Sequence, residues 1–334
     1  MARKTRSSRS GRRAGAALLG LAGGVGALAA ANQLIASSVH DTYSVLSGES
    51  RRYPWTEGDV FYKVKGQGEP LVLLHGIYAG ASAFEWRKNF DALSDHFRVY
   101  APDLLGFGLS SRPAIDYTAQ TYTQLIIDFA REVAGGAEHP IHIAASSLSA
   151  AHVIQAAFQR PKLFERLALI EPTGIYELND QPNPAQRLFH QVVRAPVIGT
   201  SIYNAIVARA AITSYLKQHV YFDAEAVTAD LVDYSYTTAH QPGAKYAAAS
   251  FINGYLNISI EEPFAQLPQP ILLVWSKEAR LTPVEDAHTF RRLNPRAQVE
   301  IIEGSRLLPQ DEQASLFNQK IIQWLRQETP ARAR

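Results

Sequence analysis

The feature that most constrains this chain is an alternation of two kinds of segment. Short strand-like runs, continuously apolar in Leu71–Leu74, Leu167–Ile170 and Ile271–Trp275 and broken by one polar residue in Ile141-His-Ile-Ala144 and Val299-Glu-Ile-Ile302, are separated by longer stretches with helical spacing. A run of four or five apolar residues bounded by turn signals reads as a strand buried on both faces. Phe97-Arg-Val-Tyr100 reads as another strand, and Asp59–Lys65 alternates with period two before the turn Gly66-Gln-Gly68. The intervening stretches read as amphipathic helices: Ser82–Leu93, Thr121–Val133, Leu148–Phe158, Val284–Leu293 and Asp311–Arg326. In Thr121–Val133, for example, Leu125, Ile126, Phe129 and Val133 share one side. Strands alternating with helices predict an α/β fold, with a mostly parallel sheet and helices on both faces.

The rhythm fails between Pro172 and Pro263, where helical stretches follow one another with no convincing strand. The expected organisation is therefore a core of residues 53–172 and 263–327, with residues 173–262 as a helical cap. Ligands in such folds bind at the C-terminal edge of the sheet, which is where the cap is expected to lie. Tyr176, Tyr203, Tyr215, Tyr221, Tyr234, Tyr236, Tyr246 and Tyr255 all fall in it. Rings lining a pocket and rings packing cap helices are both compatible with that density.

Charge is unevenly distributed. Arg3, Lys4, Arg6, Arg9, Arg12 and Arg13 are met by no acid in the first thirteen residues. Without those six, the 33 basic side chains of the chain fall below its 31 acidic ones, so the body is mildly acidic and nucleic acid is not an expected partner. There is no cysteine, which excludes disulfides and thiolate metal sites. From Ala14 to His40 no residue is charged apart from the histidine itself, and Ala14–Ala31 is Ala, Gly, Leu and Val only. A basic tail before such a run reads as a membrane anchor or a signal peptide. Arg12-Arg13 weakly resembles a twin-arginine signal, and Ala29-Ala30-Ala31 fits a cleavage site. Residues 1–37 are thus read as targeting and 38–52 as a linker. The positive-inside rule puts the folded domain outside the cytoplasm, anchored, or secreted if the segment is cleaved.

Three motifs carry a family resemblance. Leu71-Val-Leu-Leu-His-Gly-Ile-Tyr78 resembles the strand and His-Gly loop of the α/β-hydrolase superfamily. Ala101-Pro-Asp-Leu-Leu-Gly-Phe-Gly-Leu-Ser110 resembles its Asp-x-x-Gly-x-Gly-x-Ser turn, in which Asp103 fixes the turn. Ile141-His-Ile-Ala-Ala-Ser-Ser-Leu-Ser-Ala150 falls where the nucleophile elbow belongs. The resemblance spans about residues 53–327 and implies that superfamily's fold with a helical cap insertion. An elbow needs small residues two before and two after the nucleophile. Ser147 is flanked by Ala145 and Ser149, whereas Ser146 would have the bulky Leu148, so Ser147 is the nucleophile candidate. The backbone N–H groups of Ile77 and Leu148 are the implied oxyanion hole. The alternative for Ser147 is a helix cap.

The remaining positions of the family pattern are altered. The acid is expected in a segment resembling Trp-Gly-x-x-Asp-x-x-x-Pro, and here Trp275-Ser-Lys-Glu-Ala-Arg-Leu-Thr-Pro283 puts Ala279 at that position. The base is expected in a segment resembling Gly-x-Gly-His-x-x-x-x-Glu, and here Gly304-Ser-Arg-Leu-Leu-Pro-Gln-Asp-Glu312 puts Leu307 there. Serine is a weak nucleophile without an adjacent base, and Leu307 accepts no proton. Glu171, after the strand Leu167–Ile170, is the candidate for a relocated acid, as in family members resembling haloalkane dehalogenases. His240, in the cap where it would hang over the pocket, is the candidate for a relocated base, and His75 is expected to stabilise its loop. No cofactor and no metal are expected.

Two functions follow. The first is a non-catalytic or non-classical member that binds a small, apolar or acyl ligand under the cap. The second is a serine hydrolase of ester or acyl substrates using Ser147, Glu171 and a relocated base. The N-terminal reading has its own test: a chain beginning at Ser38 is expected to be soluble and to melt cooperatively, while the full chain partitions with membranes. Recovery of the full-length protein in the soluble cytosolic fraction contradicts the anchor.

Overall fold

The computed structural model describes residues 9–136 and 138–327, with side chains described from residue 23 onward. In chain order the elements are α1 (Arg9–Ser37), β1 (Glu49–Trp55), β2 (Gly58–Lys65), β3 (Pro70–Leu74), α2 (Phe90–Ser94), β4 (Arg98–Pro102), α3 (Ala119–Glu132), β5 (Ile141–Ser146), α4 (Ser147–Gln159) and β6 (Phe164–Ile170). A helical stretch follows: α5 (Pro184–Arg194), α6 (Ile198–Ile206), α7 (Arg209–Tyr215), α8 (Ala229–Ala239), α9 (Ala244–Ile252) and α10 (Glu261–Gln266). The chain then returns to the sheet with β7 (Ile271–Ser276), α11 (Asp286–Leu293), β8 (Gln298–Ile302), α12 (Pro309–Glu312) and α13 (Ala314–Leu325).

The eight strands form one sheet in the order β1-β2-β4-β3-β5-β6-β7-β8. β2 pairs antiparallel with β1 and β4, and every other pairing is parallel. The apolar runs work because the side-chain period is two. Val72 and Leu74 of β3 join one core with Ile143 of β5, Leu167 and Leu169 of β6, and Leu273 and Trp275 of β7. Leu71 and Leu73, Ala144, Ala168 and Ile170, and Leu272 and Val274 join a second core on the opposite face, under Trp86, Phe90, Phe317 and Trp324. A third cluster, including Val193, Tyr203, Leu216, Val220 and Leu231, holds the helices between β6 and β7 together. Because β3, β5, β6, β7 and β8 are parallel, the loops that follow them emerge at one edge.

Several elements differ from the sequence reading. β1 begins at Glu49, inside the expected linker. It is a largely exposed edge strand, Glu-Ser-Arg-Arg-Tyr-Pro-Trp, held by backbone pairing to β2, so it leaves no apolar periodicity to read. The expected helix over 82–93 is a 3₁₀ turn, Ala83–Trp86, followed by the short α2. The last helix is broken at Gln313, whose side chain turns back to donate to Gly304 O at 2.9 Å.

Among the described residues no helix is long and apolar enough to cross a membrane. The apolar run expected to do so begins at Ala14, and its side chains up to residue 22 lie outside the described ones. The end of α1 packs on the helical stretch: Asn32 donates to Val197 O at 2.9 Å and accepts from Ser201 Oγ at 3.1 Å and Asn204 Nδ2 at 3.0 Å. Residues up to 37 are therefore not all outside the fold, because a polar side chain just after the apolar run finds three partners on α6 and the residue before it.

The loop after β4 is fixed by Asp103. Its buried carboxylate accepts from Ala83 N and Leu109 N, both at 2.7 Å, while its carbonyl accepts from Ser110 Oγ at 2.6 Å. Gly108 is required beside it: at φ +49, any Cβ there would fall 2.1 Å from the Asp103 carboxyl carbon. Removing the carboxylate strands two buried donors, each costing roughly 1–3 kcal/mol. Asp103→Ala is expected to lower the unfolding free energy by about 3 kcal/mol in denaturant titration. A loss under about 1 kcal/mol would show that the loop is held by other contacts.

Candidate active site

Ser147 is the first residue of α4 and has φ 53, while Ser146 before it is extended at φ −105 and ψ 139. A non-glycine residue in the left-handed region costs about 1–3 kcal/mol and persists only where its surroundings enforce it. Here the enforcement comes from β5, buried along its whole length, and from Ser149, whose Oγ donates to His75 O at 2.6 Å. The first turn of a helix has N–H groups without intrahelical acceptors, and Leu148 N is among them. Opposite lies the loop after β3, where a Cβ on Gly76 would stand in ordinary van der Waals contact with Ser147 Cβ, at 3.7 Å.

Ser147 opens into a cavity of about 230 Å³. The loop after β3 contributes Gly76, Ile77 and Tyr78 to its wall, the helical stretch contributes Tyr215, Val220 and Phe251, and the loops after β7 and β8 contribute Leu281, Thr282, Leu307 and Leu308. Of the tyrosines between β6 and β7, Tyr215 lines it. Others serve packing or bridging roles, such as Tyr203, whose hydroxyl donates to Ala239 O at 2.8 Å.

Among the described residues, no histidine lines this cavity. His75 is buried at the loop base, where its Nε2 accepts from Leu104 N at 3.0 Å and its Nδ1 meets Gly76 O at 2.7 Å. Burial lowers its pKa to about 4, so it is a neutral brace for two loops. His152 is likewise neutral, its pKa lowered by burial to about 4, and its Nε2 meets Leu256 O at 2.9 Å. His240 is not brought to Ser147, which corrects the expectation of a base there. Its Nδ1 bonds Tyr236 O at 2.8 Å at the end of α8, and it borders a separate groove with Asn32 and Tyr203. The i to i−4 bond satisfies the helix terminus and fixes the ring away from the elbow.

At the altered positions, Leu307 faces the cavity, and its N–H donates to Val220 O at 3.1 Å, tying the loop after β8 to the helical stretch. Ala279 packs against the main core. Its neighbour Glu278 points elsewhere: its Oε2 accepts from Gly304 N at 3.0 Å and Ser305 N at 3.3 Å.

Glu171 reaches the loop in which the acid is expected. It leaves β6 with φ 44, is fully buried, and accepts from Ser276 N at 3.0 Å and Thr282 Oγ1 at 2.7 Å. Burial raises its pKa from 4.5 to about 8 against those hydrogen bonds. A second buried carboxylate, Glu85, lines the cavity itself, and the sequence reading passed over it. Its signal was a lone charge between Phe84 and Trp86, in a segment read only for helical periodicity. It accepts from Gly76 N at 2.9 Å and from Gln310 Nε2 at 2.8 Å, and burial raises its pKa to about 7.

The comparisons agree with this geometry. Residues 71–320 match the Alpha/beta hydrolase family. An uncharacterised protein of Mycobacterium tuberculosis is 26% identical over 272 residues, covering 77% of this chain and 75% of its own. The 2-hydroxy-6-oxo-6-(2'-aminophenyl)hexa-2,4-dienoic acid hydrolase of Metapseudomonas resinovorans is 26% identical over 238 residues, covering 69% and 74%. Among solved structures, a serine hydrolase involved in carbazole degradation superposes with a TM-score of 0.69 at 21% identity, over 84% of this chain and 99% of that one. A thermophilic esterase from Thermogutta terrifontis superposes with a TM-score of 0.68 at 17% identity, over 84% and 98%.

Glu171 generates a pH prediction. Unfolded, its carboxyl ionises near 4.5; folded, it ionises only near 8. Between those values the native chain holds one more proton than the unfolded chain, so stability falls as pH rises through that window. Glu171→Gln keeps an acceptor for Ser276 N and removes the titration. Its unfolding free energy is expected to fall less steeply between pH 5 and 8, by up to about 1.4 kcal/mol per pH unit. Parallel slopes for the two proteins would show that Glu171 titrates normally.

Proposed function

This chain belongs to the alpha/beta hydrolase family, and from that premise we propose that it holds a small, mostly apolar carbonyl compound of ester or acyl type against Ser147, without the family's serine–histidine–acid chemistry. One observation carries the reading: Ser147 sits on a left-handed elbow opening into a cavity lined by Leu307, the residue at the position where the family resemblance implies the base. The elbow is a conformation that folding alone does not favour, and strain of this kind clusters at functional sites. The cavity, at about 230 Å³, falls below the roughly 300–1,000 Å³ of drug-sized ligand sites, which favours a short acyl group. Ile77 N and Leu148 N supply the two donors for the carbonyl oxygen in this reading. The relatives with assigned activities include the dienoic acid hydrolase above and a 2-hydroxymuconate semialdehyde hydrolase, which support this reading, and also a haloalkane dehalogenase matched over 24% of this chain.

A second reading, hydrolysis with Glu171 as relocated acid, is favoured by the position of that carboxylate against the loop after β7. It needs a base, which the family's own position does not supply. In either reading residues 1–37 bring the domain to a membrane and hold it outside the cytoplasm, or direct its secretion. The support is the basic tail followed by an uncharged run.

The eroded positions offer the test. Ala279→Asp with Leu307→His restores an acid and a base that partner each other. The double variant is expected to gain roughly 100-fold in kcat/KM on p-nitrophenyl butyrate, the lower end of what a positioned general base contributes. Either single change is expected to gain far less, because such residues act as a unit. A folded double variant no more active than the unmodified chain would mean that Ser147 is not presented to a bound carbonyl.

A further inference from the structure

We propose that Glu85 is the proton-transfer group of this cavity, taking the proton of Ser147 Oγ through one water and returning it to the leaving group. The inference rests on the reading that Ser147 meets a bound carbonyl, and it names the base that reading lacks.

The first argument is placement. Glu85, Gly76 and Ser147 line the same cavity. A Cβ on Gly76 would stand 3.4 Å from Glu85 Oε2, 3.6 Å from Ser146 Oγ and 3.7 Å from Ser147 Cβ. The carboxylate and the elbow thus flank one small gap that a side chain at position 76 would fill. A catalytic base has to lie within hydrogen-bond reach of the proton it takes, or one water away.

The second argument is orientation. Glu85 Oε2 is fixed by Gly76 N and Oε1 by Gln310 Nε2. Gln310 is fully buried and stands three residues past Leu307, on the loop where the family pattern puts its histidine. The loop that no longer supplies a base supplies the group that orients one.

The third argument is charge. The neighbouring Arg87 is engaged elsewhere: both Asp311 oxygens accept from its Nη2, at 2.9 and 2.7 Å, and its guanidinium lies 4.3 Å from the Phe84 ring centre. Glu85 forms no ion pair among the described residues. The titratable groups facing it are Asp311 from α12 and Tyr78 from the loop after β3; the Asp311 charge disfavours its ionisation further, while the Ser146 hydroxyl favours it. A buried carboxylate without a cation is costly to keep charged. Its raised pKa, about 7, suits a group that both accepts and donates near neutrality.

The chemistry balances. Ser147 Oγ bonds to the acyl carbon as its proton passes to Glu85, and the carbonyl electron pair moves onto the oxygen facing Ile77 N and Leu148 N. The bond to the alcohol breaks, and the alcohol oxygen takes the proton from Glu85. Water then attacks the acyl-serine, gives a proton through Glu85 to Ser147 Oγ, and releases the carboxylic acid. Ester and water become acid and alcohol, with Glu85 returned to its starting form.

The test is phosphonylation of Ser147 by an alkyl fluorophosphonate, followed by intact mass from pH 5 to 9 on the full chain. There the new Oγ–P bond expels fluoride and the serine proton goes to Glu85. The unmodified chain is expected to react at a rate that rises through an inflection near pH 7 and then levels. Glu85→Gln, shown to be folded by its melt, is expected to react about 100-fold more slowly with no inflection. Gln310→Leu keeps the carboxylate but removes a hydrogen bond favouring its charged form, so its inflection moves to higher pH. A folded Glu85→Gln that reacts at the unmodified rate, or keeps the inflection, overturns the proposal. If that variant does not fold, an unmoved inflection in Gln310→Leu overturns it. If the unmodified chain binds 2-heptanone, an uncleavable carbonyl compound, but is never phosphonylated, Glu85 is not the base and the binding reading stands. If it does neither, both fall.

Discussion

The site depends on one local constraint, the left-handed turn at Ser147 between a fully buried strand and the first turn of a helix. β5 runs through the centre of the sheet between β3 and β6, so its end cannot move to relieve the strain. Ser149 fastens the start of the helix to His75, and His75 fastens the loops after β3 and β4 to each other. The elbow, the Gly76–Ile77 backbone and the Asp103 turn are thus one braced unit. The lining of the cavity and the placement of the carboxylates follow from it.

Around that unit the polar groups are arranged in an uncommon way. Two buried carboxylates, Glu85 on the 3₁₀ turn Ala83–Trp86 and Glu171 just past β6, lie at the sheet edge, and each is held by a backbone N–H and a side-chain donor rather than by a cation. Hydrogen bonds favour their charged forms, and burial opposes this more strongly, so both pKa values rise. Glu85 lines the cavity beside the strained serine and Leu307 faces the same space, while Glu171 lies behind it against the loop after β7. Perturbed carboxyls in a cleft are the expected mark of a functional site.

The central strands β3, β6 and β7 were legible because each carries an unbroken apolar run, and the elbow was legible because only Ser147 has small residues on both sides. β1 was not, since an exposed edge strand is specified by backbone pairing to β2 and leaves no hydrophobic pattern. Glu85 was not, because its role comes from contacts with Gly76 and Gln310, the second 225 positions away. His240 was offered as a base because it lies in the stretch over the sheet edge. What decides its role is the bond to Tyr236 O, which no spacing rule reveals. The expectation for Asp103 succeeded for the opposite reason: its partners at 109 and 110 are local in sequence.

The central claim is that a carbonyl compound meets Ser147 at the elbow, and a crystal structure of the unmodified chain with a short alkyl trifluoromethyl ketone tests it most directly. The account predicts a tetrahedral carbon bonded to Ser147 Oγ, its oxygen accepting from Ile77 N and Leu148 N, and its alkyl chain against Val220, Phe251 and Leu307. A ketone bound elsewhere, or a cavity left empty at saturating ketone, would contradict it.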